Sequence, residues 1–468
     1  MELPCLVFGF VASSYILWCC RHYSSRCSRR ARRRRFPLYA AQTGQPCTAC
    51  HVGGFGPQLT QYGRLFKITG YVMTGGTGAL AHIPLSAFVL GSYTDTTKGQ
   101  GAPAAPHYGS NGNIAVDQIS VFLAGRVSDH FGGFVQGSFS GISSAFTLDN
   151  TDLRAVEDFQ LKDHDVESGL SLNNGPTIQD PYNTTYAWGY PYVASSLAPR
   201  PRASTILGSA LFGNTIGLTA YAWVDQSLYL EAGGYQTQGP WLLHMTGHTY
   251  GAGSETGVAA PYARVAYEWN WGANSAHVGG AAFYSRFNPT ISNYSTDGSQ
   301  GHDSYTDLFT DAGYQFIPAN SPHIFTVDSF YNHEDQNLKG STNLGASSHP
   351  SGVLHETRTT LTYYYDRSYG LSAAWEKIWG RQNTNLYAND GPVTANANGK
   401  PNSNSFILEA DWVPFGKEGS WGSPLANLKL GAQYTIYTEF NGAHYNYDGA
   451  GRNASDNNTL YLFAWLIF

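Results

Sequence analysis

The sequence predicts an all-β fold, a transmembrane antiparallel β-barrel of about 16 strands, and three observations predict it. The first is composition. Of 468 residues only 13% are charged while 14% are aromatic, with 53 Gly, 32 Tyr, 24 Phe and 11 Trp. Charge is about half that of an ordinary soluble domain. The second is periodicity: most of the chain reads as segments of roughly 9–13 residues that alternate apolar and polar, separated by turns rich in Gly, Asn, Asp and Ser. The third is the end of the chain, where Leu460, Leu462, Ala464, Leu466 and Phe468 alternate to a terminal aromatic residue. A helical membrane protein is excluded, because after residue 20 no apolar run approaches the roughly 18 residues a spanning helix needs. Disorder and a coiled coil do not fit so aromatic a chain.

The elements follow in chain order. Residues 3–18 are apolar and the basic run RRARRRR follows them. An export signal has the reverse order. Three readings stand: a mis-called start, an unusual export signal ending near Ala40-Ala41, or an anchor with its arginines on the cytoplasmic side. Residues 1–39 therefore form an atypical N-terminal segment, set apart from the fold. Eight of the 27 basic residues lie before Phe36, which leaves 19 basic and 32 acidic residues, a net of −13, in 36–468. Such a body favours cations and no nucleic acid. Four of the six cysteines also fall in the first 27 residues, so a disulfide scaffold is not expected.

Residues 40–75 carry the chemistry. Cys47-Thr48-Ala49-Cys50-His51 is a C-x-x-C-H motif, the pattern for attaching one haem c covalently. Two thiols at this spacing add to the two porphyrin vinyl groups, and the histidine that follows reaches the iron as proximal ligand. The competing readings are a redox C-x-x-C pair, which expects a thioredoxin-like context, and half a zinc site, which expects a second Cys/His pair. Neither context is present. Met73 is the nearest thioether and a candidate distal ligand; its blander reading is an apolar residue opening the first strand. A histidine such as His82, or an open position, are the alternatives. Residues 42–71 are too few to bury a core of their own, so the haem segment is expected inside the barrel lumen, with a short helix over 60–67.

Residues 76–468 form the barrel. Strands are expected at 84–96, 114–128, 131–141, 152–163, 203–211, 214–224, 226–237, 259–270, 274–286, 302–316, 322–333, 354–366, 369–379, 404–415, 426–439 and 457–468. In 406–412, Phe406, Leu408, Ala410 and Trp412 share one face and Glu409 and Asp411 the other. In 263–271, Ala263, Val265, Tyr267, Trp269 and Trp271 oppose Arg264, Ala266, Glu268 and Asn270. Trp223, Trp269, Trp271, Trp412 and Tyr437 suit interfacial girdles. The last strand is of the kind that outer-membrane barrels present to their assembly machinery. Of the longer connections, 165–202 reads as ordered and is expected to fold inward or to cap the barrel.

With those residues in hand, the chain resembles the fused outer-membrane cytochrome–porin family, whose best-known members oxidise extracellular ferrous iron. The resemblance lies in QTGQPCTACHVGGFGPQLTQYGRLFKITGY, residues 42–71. It implies haem on Cys47 and Cys50 with His51 proximal, in a bacterial outer membrane. The VGGFG stretch between His51 and Pro57 departs from the family pattern and points to a side branch. Two classes of function follow. One is electron transfer from an external reductant such as Fe(II) to a periplasmic cytochrome. The other is a porin whose haem segment is a plug or redox gate. Asp303, Asp307, Asp311, Glu334 and Asp335 are candidates for attracting a cation; their blander reading is as solvated loop carboxylates. No hydrolase or transferase motif is present.

Overall fold

A computed structural model describes residues 38–76, 85–209, 211–248, 259–292, 295–296, 299–387, 395–422 and 426–468. The N-terminal readings above, as far as residue 37, and His82 fall outside the described residues; Leu38 and Tyr39, set apart with them, begin a helix that runs on to Thr43.

Alternation organises the wall. Sixteen strands close into one antiparallel barrel. They are β1 (Leu85–Thr96), β2 (Asn113–Arg126), β3 (Phe131–Ser140), β4 (Ala145–Leu161), β5 (His164–Asn173), β6 (Thr215–Val224), β7 (Leu228–Thr237), β8 (Ala260–Trp271) and β9 (Asn274–Phe287). They continue through β12 (Asp303–Phe316), β13 (His323–Asn337), β14 (Ser351–Tyr365), β15 (Tyr369–Gly380), β16 (Ser403–Trp412), β17 (Asn427–Glu439) and β18 (Thr459–Ile467). A two-stranded ribbon, β10 (Thr290–Ser292) with β11 (Ser295–Thr296), stands apart from the wall. The terminal strands β1 and β18 pair from Phe88↔Ile467 to Thr96↔Thr459 and remove the sheet's free edges.

The burial pattern is inverted relative to a soluble sandwich. Along β8, Val265 is 50% exposed while its neighbour Arg264 is 3% exposed; along β16, Leu408 is 49% and Glu409 4% exposed. Apolar side chains therefore point out and charged ones point in. A wall of this kind faces hydrocarbon, and closure gives every strand two bonded neighbours. No helix among the described residues is long and apolar enough to cross a membrane.

Two departures from expectation have physical reasons. The stretch 203–211 is not a strand. It ends a long inward connection, 174–214, in which Leu207 and Leu211 are buried against Tyr235, Phe283 and Phe309. Its apolar run packs on lumen aromatics and not on lipid. The missing strand is β5, whose outward apolar residues are chiefly Leu170 and Leu172, too few to mark a period. Trp223 and Tyr437 do not join a girdle either. Trp223 packs inside with Tyr182 and Tyr229, and Tyr437 donates to the Pro199 carbonyl of the inward connection. Trp269, Trp271 and Trp412 do face outward.

Candidate functional site

The segment 38–76 fills the end of the lumen where the strands are joined mostly by short turns such as 162–163 and 272–273. Its elements are α1 (Leu38–Thr43), α2 (Cys47–Cys50) and α3 (Gln61–Ile68). Helix α2 is a single turn after Pro46 with a thiol at each end. The His51 amide donates to the Cys47 carbonyl at 2.9 Å, and His51 then pairs with Leu59 in a β-bridge. Thr60 joins motif to helix. Its amide donates to the Cys50 carbonyl and its hydroxyl to Ala49, while the same hydroxyl accepts the Gly63 amide and caps α3. Gly63 lets α3 lie against the motif: a Cβ there would sit 2.2 Å from the Cys50 carbonyl oxygen.

The wall holds this segment at many points. Val52 packs with Ile324 and Tyr364, and Phe55 meets Trp465 edge-on at 5.0 Å. Gln58 donates to Thr326 at 2.7 Å and Asp328 at 2.6 Å. Asn427 donates to the Gly54 carbonyl. Arg64, buried in α3, pairs with Glu268 of β8 and donates to Gln315 at 2.8 Å and Ser275 at 3.1 Å. Lys67 gives its ammonium to the carbonyls of Ile178 and Asp180 and to Asn183 Oδ1, at 2.6–2.8 Å. It thereby ties the segment to the inward connection. The Tyr71 hydroxyl donates to Asp152, which also pairs with Arg154, and Arg154 reaches back to the Lys67 carbonyl. Buried charge is tolerated here because each cation meets several acceptors.

Cys47 and Cys50 are free thiols, each half-buried. Burial pushes Cys47 up and Cys50 up to about 12. It pushes His51 down to about 4, so its imidazole is neutral, the form that ligates metal. His51 Nδ1 is buried with no hydrogen-bond partner. Two thiols one helical turn apart, followed by a neutral imidazole, fit covalent haem c.

Met73 follows the C-terminal end of α3 and packs half-buried against the cluster of Phe66, Tyr71, Phe134 and Ile178. Four of the five candidate carboxylates are inside the lumen, not in solvated loops. Asp303 accepts from the Ser341 amide and hydroxyl, Asp311 pairs with Arg264, and Asp307 accepts from Asn332. Glu334 lies opposite Asp307 in the β12–β13 register and accepts the Ile206 amide. Asp335 faces outward. Among the described residues no three His, Cys, Asp or Glu side chains are grouped so as to hold a metal ion. The pairing of Arg64 with Glu268 had no local signal, although Glu268 stood on the polar face of its strand.

No protein-family model matches the sequence, and no curated protein matches it. Solved structures are similar at low identity. In-vitro folded OmpT of Vibrio cholerae is 12% identical over 82% of this chain and 96% of its own, with a TM-score of 0.43. The anion-selective porin from Comamonas acidovorans is 9% identical over 82% and 98%, with a TM-score of 0.44. The outer membrane channel DcaP of Acinetobacter baumannii is 11% identical over 82% and 96%, with a TM-score of 0.42.

Proposed function

We propose that this protein is an outer-membrane electron-transfer barrel carrying one haem c on Cys47 and Cys50 with His51 as proximal ligand. It takes electrons from an external reductant, Fe(II), and hands them to a periplasmic cytochrome. The observation that carries this reading is that the C-x-x-C-H segment is locked into a lipid-facing barrel by buried polar contacts, Arg64–Glu268 foremost. Bound there, haem supplies one-electron chemistry. The chain's own residues do the rest. Thr60 and Gly63 fix the motif against α3, and Val52 and Phe55 seat it on the wall. Asp307 and Glu334 set facing carboxyl groups in the other half of the lumen, oxygen donors that suit a cation and not an anion. Keeping iron outside the cell means that its insoluble oxidised product also forms outside.

A visible spectrum of the purified protein, taken anaerobically before and after Fe(II), tests the reading. A reduced c-type band after Fe(II) is expected. Reduction by dithionite alone would remove iron as donor, and no haem band at all would remove the roles of Cys47, Cys50 and His51.

The second reading is a porin with segment 38–76 as plug or redox gate. The observation favouring it is that the same segment and the inward connection meet inside the lumen through Lys67. Ion conductance that changes with haem oxidation state would support it, and a barrel that stays closed in both states would not.

A further inference from the structure

On the outer wall, four residues from the long-connection ends of β13 and β14, His333 and His355 lie directly opposite each other in the strand register. Trp379 of β15 is the next member of the same row, stacked on the His355 ring at 5.1 Å and 17°. All three alternate with lumen-facing neighbours and so point away from the lumen. The two Nδ1 atoms are 3.3 Å apart. Asp335 Oδ2 lies 3.4 Å from the other nitrogen of His333, Nε2. The Tyr331 hydroxyl lies 2.9 Å from His355 Nδ1.

A neutral imidazole has one N–H and one lone pair. A carboxylate near Nε2 favours the proton of His333 on that atom, which leaves the Nδ1 lone pair free. With His355 in the same tautomer, its Nδ1 lone pair faces that of His333 across 3.3 Å, with the Tyr331 hydroxyl beside it. A cation between them takes both lone pairs at once. Two bonds of about 2.0–2.1 Å at a tetrahedral metal place their nitrogens about 3.3–3.4 Å apart, which matches. A carboxylate on the far nitrogen of a ligating histidine is the usual outer support of such a site.

We propose that His333 and His355, with the Tyr331 hydroxyl, form a site on the outer wall for a borderline divalent cation of the Zn²⁺ or Cu²⁺ kind, oriented by Asp335. Imidazole donors select these ions over Mg²⁺ or Ca²⁺. The remaining positions open away from the lumen. The site is independent of the haem segment, which lies inside the barrel at its other end.

The test is calorimetric titration of Zn²⁺ into the full, haem-loaded chain in detergent, with His333→Ala, His355→Phe and Asp335→Asn alongside. His355→Phe keeps a ring on Trp379 and removes only the nitrogens, and heat-modifiable gel migration confirms that each barrel is folded. One Zn²⁺ per chain is expected to be lost in both histidine variants and weakened about 10- to 100-fold in Asp335→Asn. Identical isotherms for wild type and the two histidine variants would overturn the proposal, because binding would then reside on other histidines. So would the absence of Zn²⁺ uptake by the wild type.

Discussion

Replacing Glu268 by Gln is expected to release the N-terminal segment from the lumen far more often than in the wild type. Arg64 and Glu268 have side chains only 4% and 1% exposed, so neither charge is relieved by water. In Glu268→Gln the shape is kept and Arg64 retains Gln315, Ser275 and the Leu59 carbonyl as neutral acceptors. Removing one partner of a buried pair costs about 3–5 kcal/mol, and the retained acceptors place this variant near 3. At 1.36 kcal/mol per tenfold, the docked-to-released ratio falls by a little over 100-fold, by about two powers of ten. Arg64→Leu is expected to be worse, about 5 kcal/mol, because Glu268 Oε2 already lacks a partner and the whole carboxylate is then stranded. The double variant Arg64→Leu/Glu268→Leu removes both charges and is expected to recover most of the loss, since apolar replacement of a buried pair is close to neutral. Limited proteolysis within 38–76 of the folded barrel reads the released population when reclosure is faster than cleavage, and single-channel conductance reads it independently. Equal protease resistance in all variants, or additive losses in the double variant, would refute the assignment of this pair as the lock.

Four further outcomes follow from the same contacts. Cys47→Ala/Cys50→Ala is expected to abolish haem staining of the denatured chain while the barrel still folds, because both thiols belong to the inserted segment. Gly63→Ala drives a Cβ into the Cys50 carbonyl; overpacking of this kind costs about 1–3 kcal/mol, and haem incorporation per folded barrel should fall. Met73→Ala should leave the reduced haem spectrum unchanged, since the side chain packs among Phe66, Tyr71 and Phe134, and a shifted spectrum would bring it back as a ligand. Val265→Arg, near mid-height on the lipid face of β8, should lower stability in lipid vesicles by about 2–4 kcal/mol, measured by urea unfolding.

The wall was legible in the sequence because lipid imposes a strict rule on it. Every second residue of β8 and β16 must be apolar, so Val265, Tyr267, Leu408 and Trp412 mark their strands without knowledge of any partner. Where the rule relaxes, legibility fails. Strand β5 shows chiefly Leu170 and Leu172 to lipid, whereas 203–211 is more apolar because Leu207 and Leu211 bury against lumen aromatics. Apolar content alone therefore favoured the wrong segment. The C-x-x-C-H pattern was visible for a different reason, since it lies in five consecutive residues.

What holds that motif was not legible, because the contacts join residues far apart in the chain. Arg64 meets Glu268 across 204 positions, Tyr71 meets Asp152 across 81, and Lys67 meets Asp180 across 113. The wall's alternation places Glu268 and Asp152 inside but says nothing of height, and height decides which inward charge meets the plug. The same step explains the carboxylates. In a chain this poor in charge, an Asp or Glu within a strand has two destinations, the lipid face or the lumen, and hydrocarbon excludes the first over most of the wall. Asp307, Asp311 and Glu334 therefore had to lie inside. Asp335, near the end of β13, is the exception that position allows. It stands outward beside His333, two residues from the end of the strand.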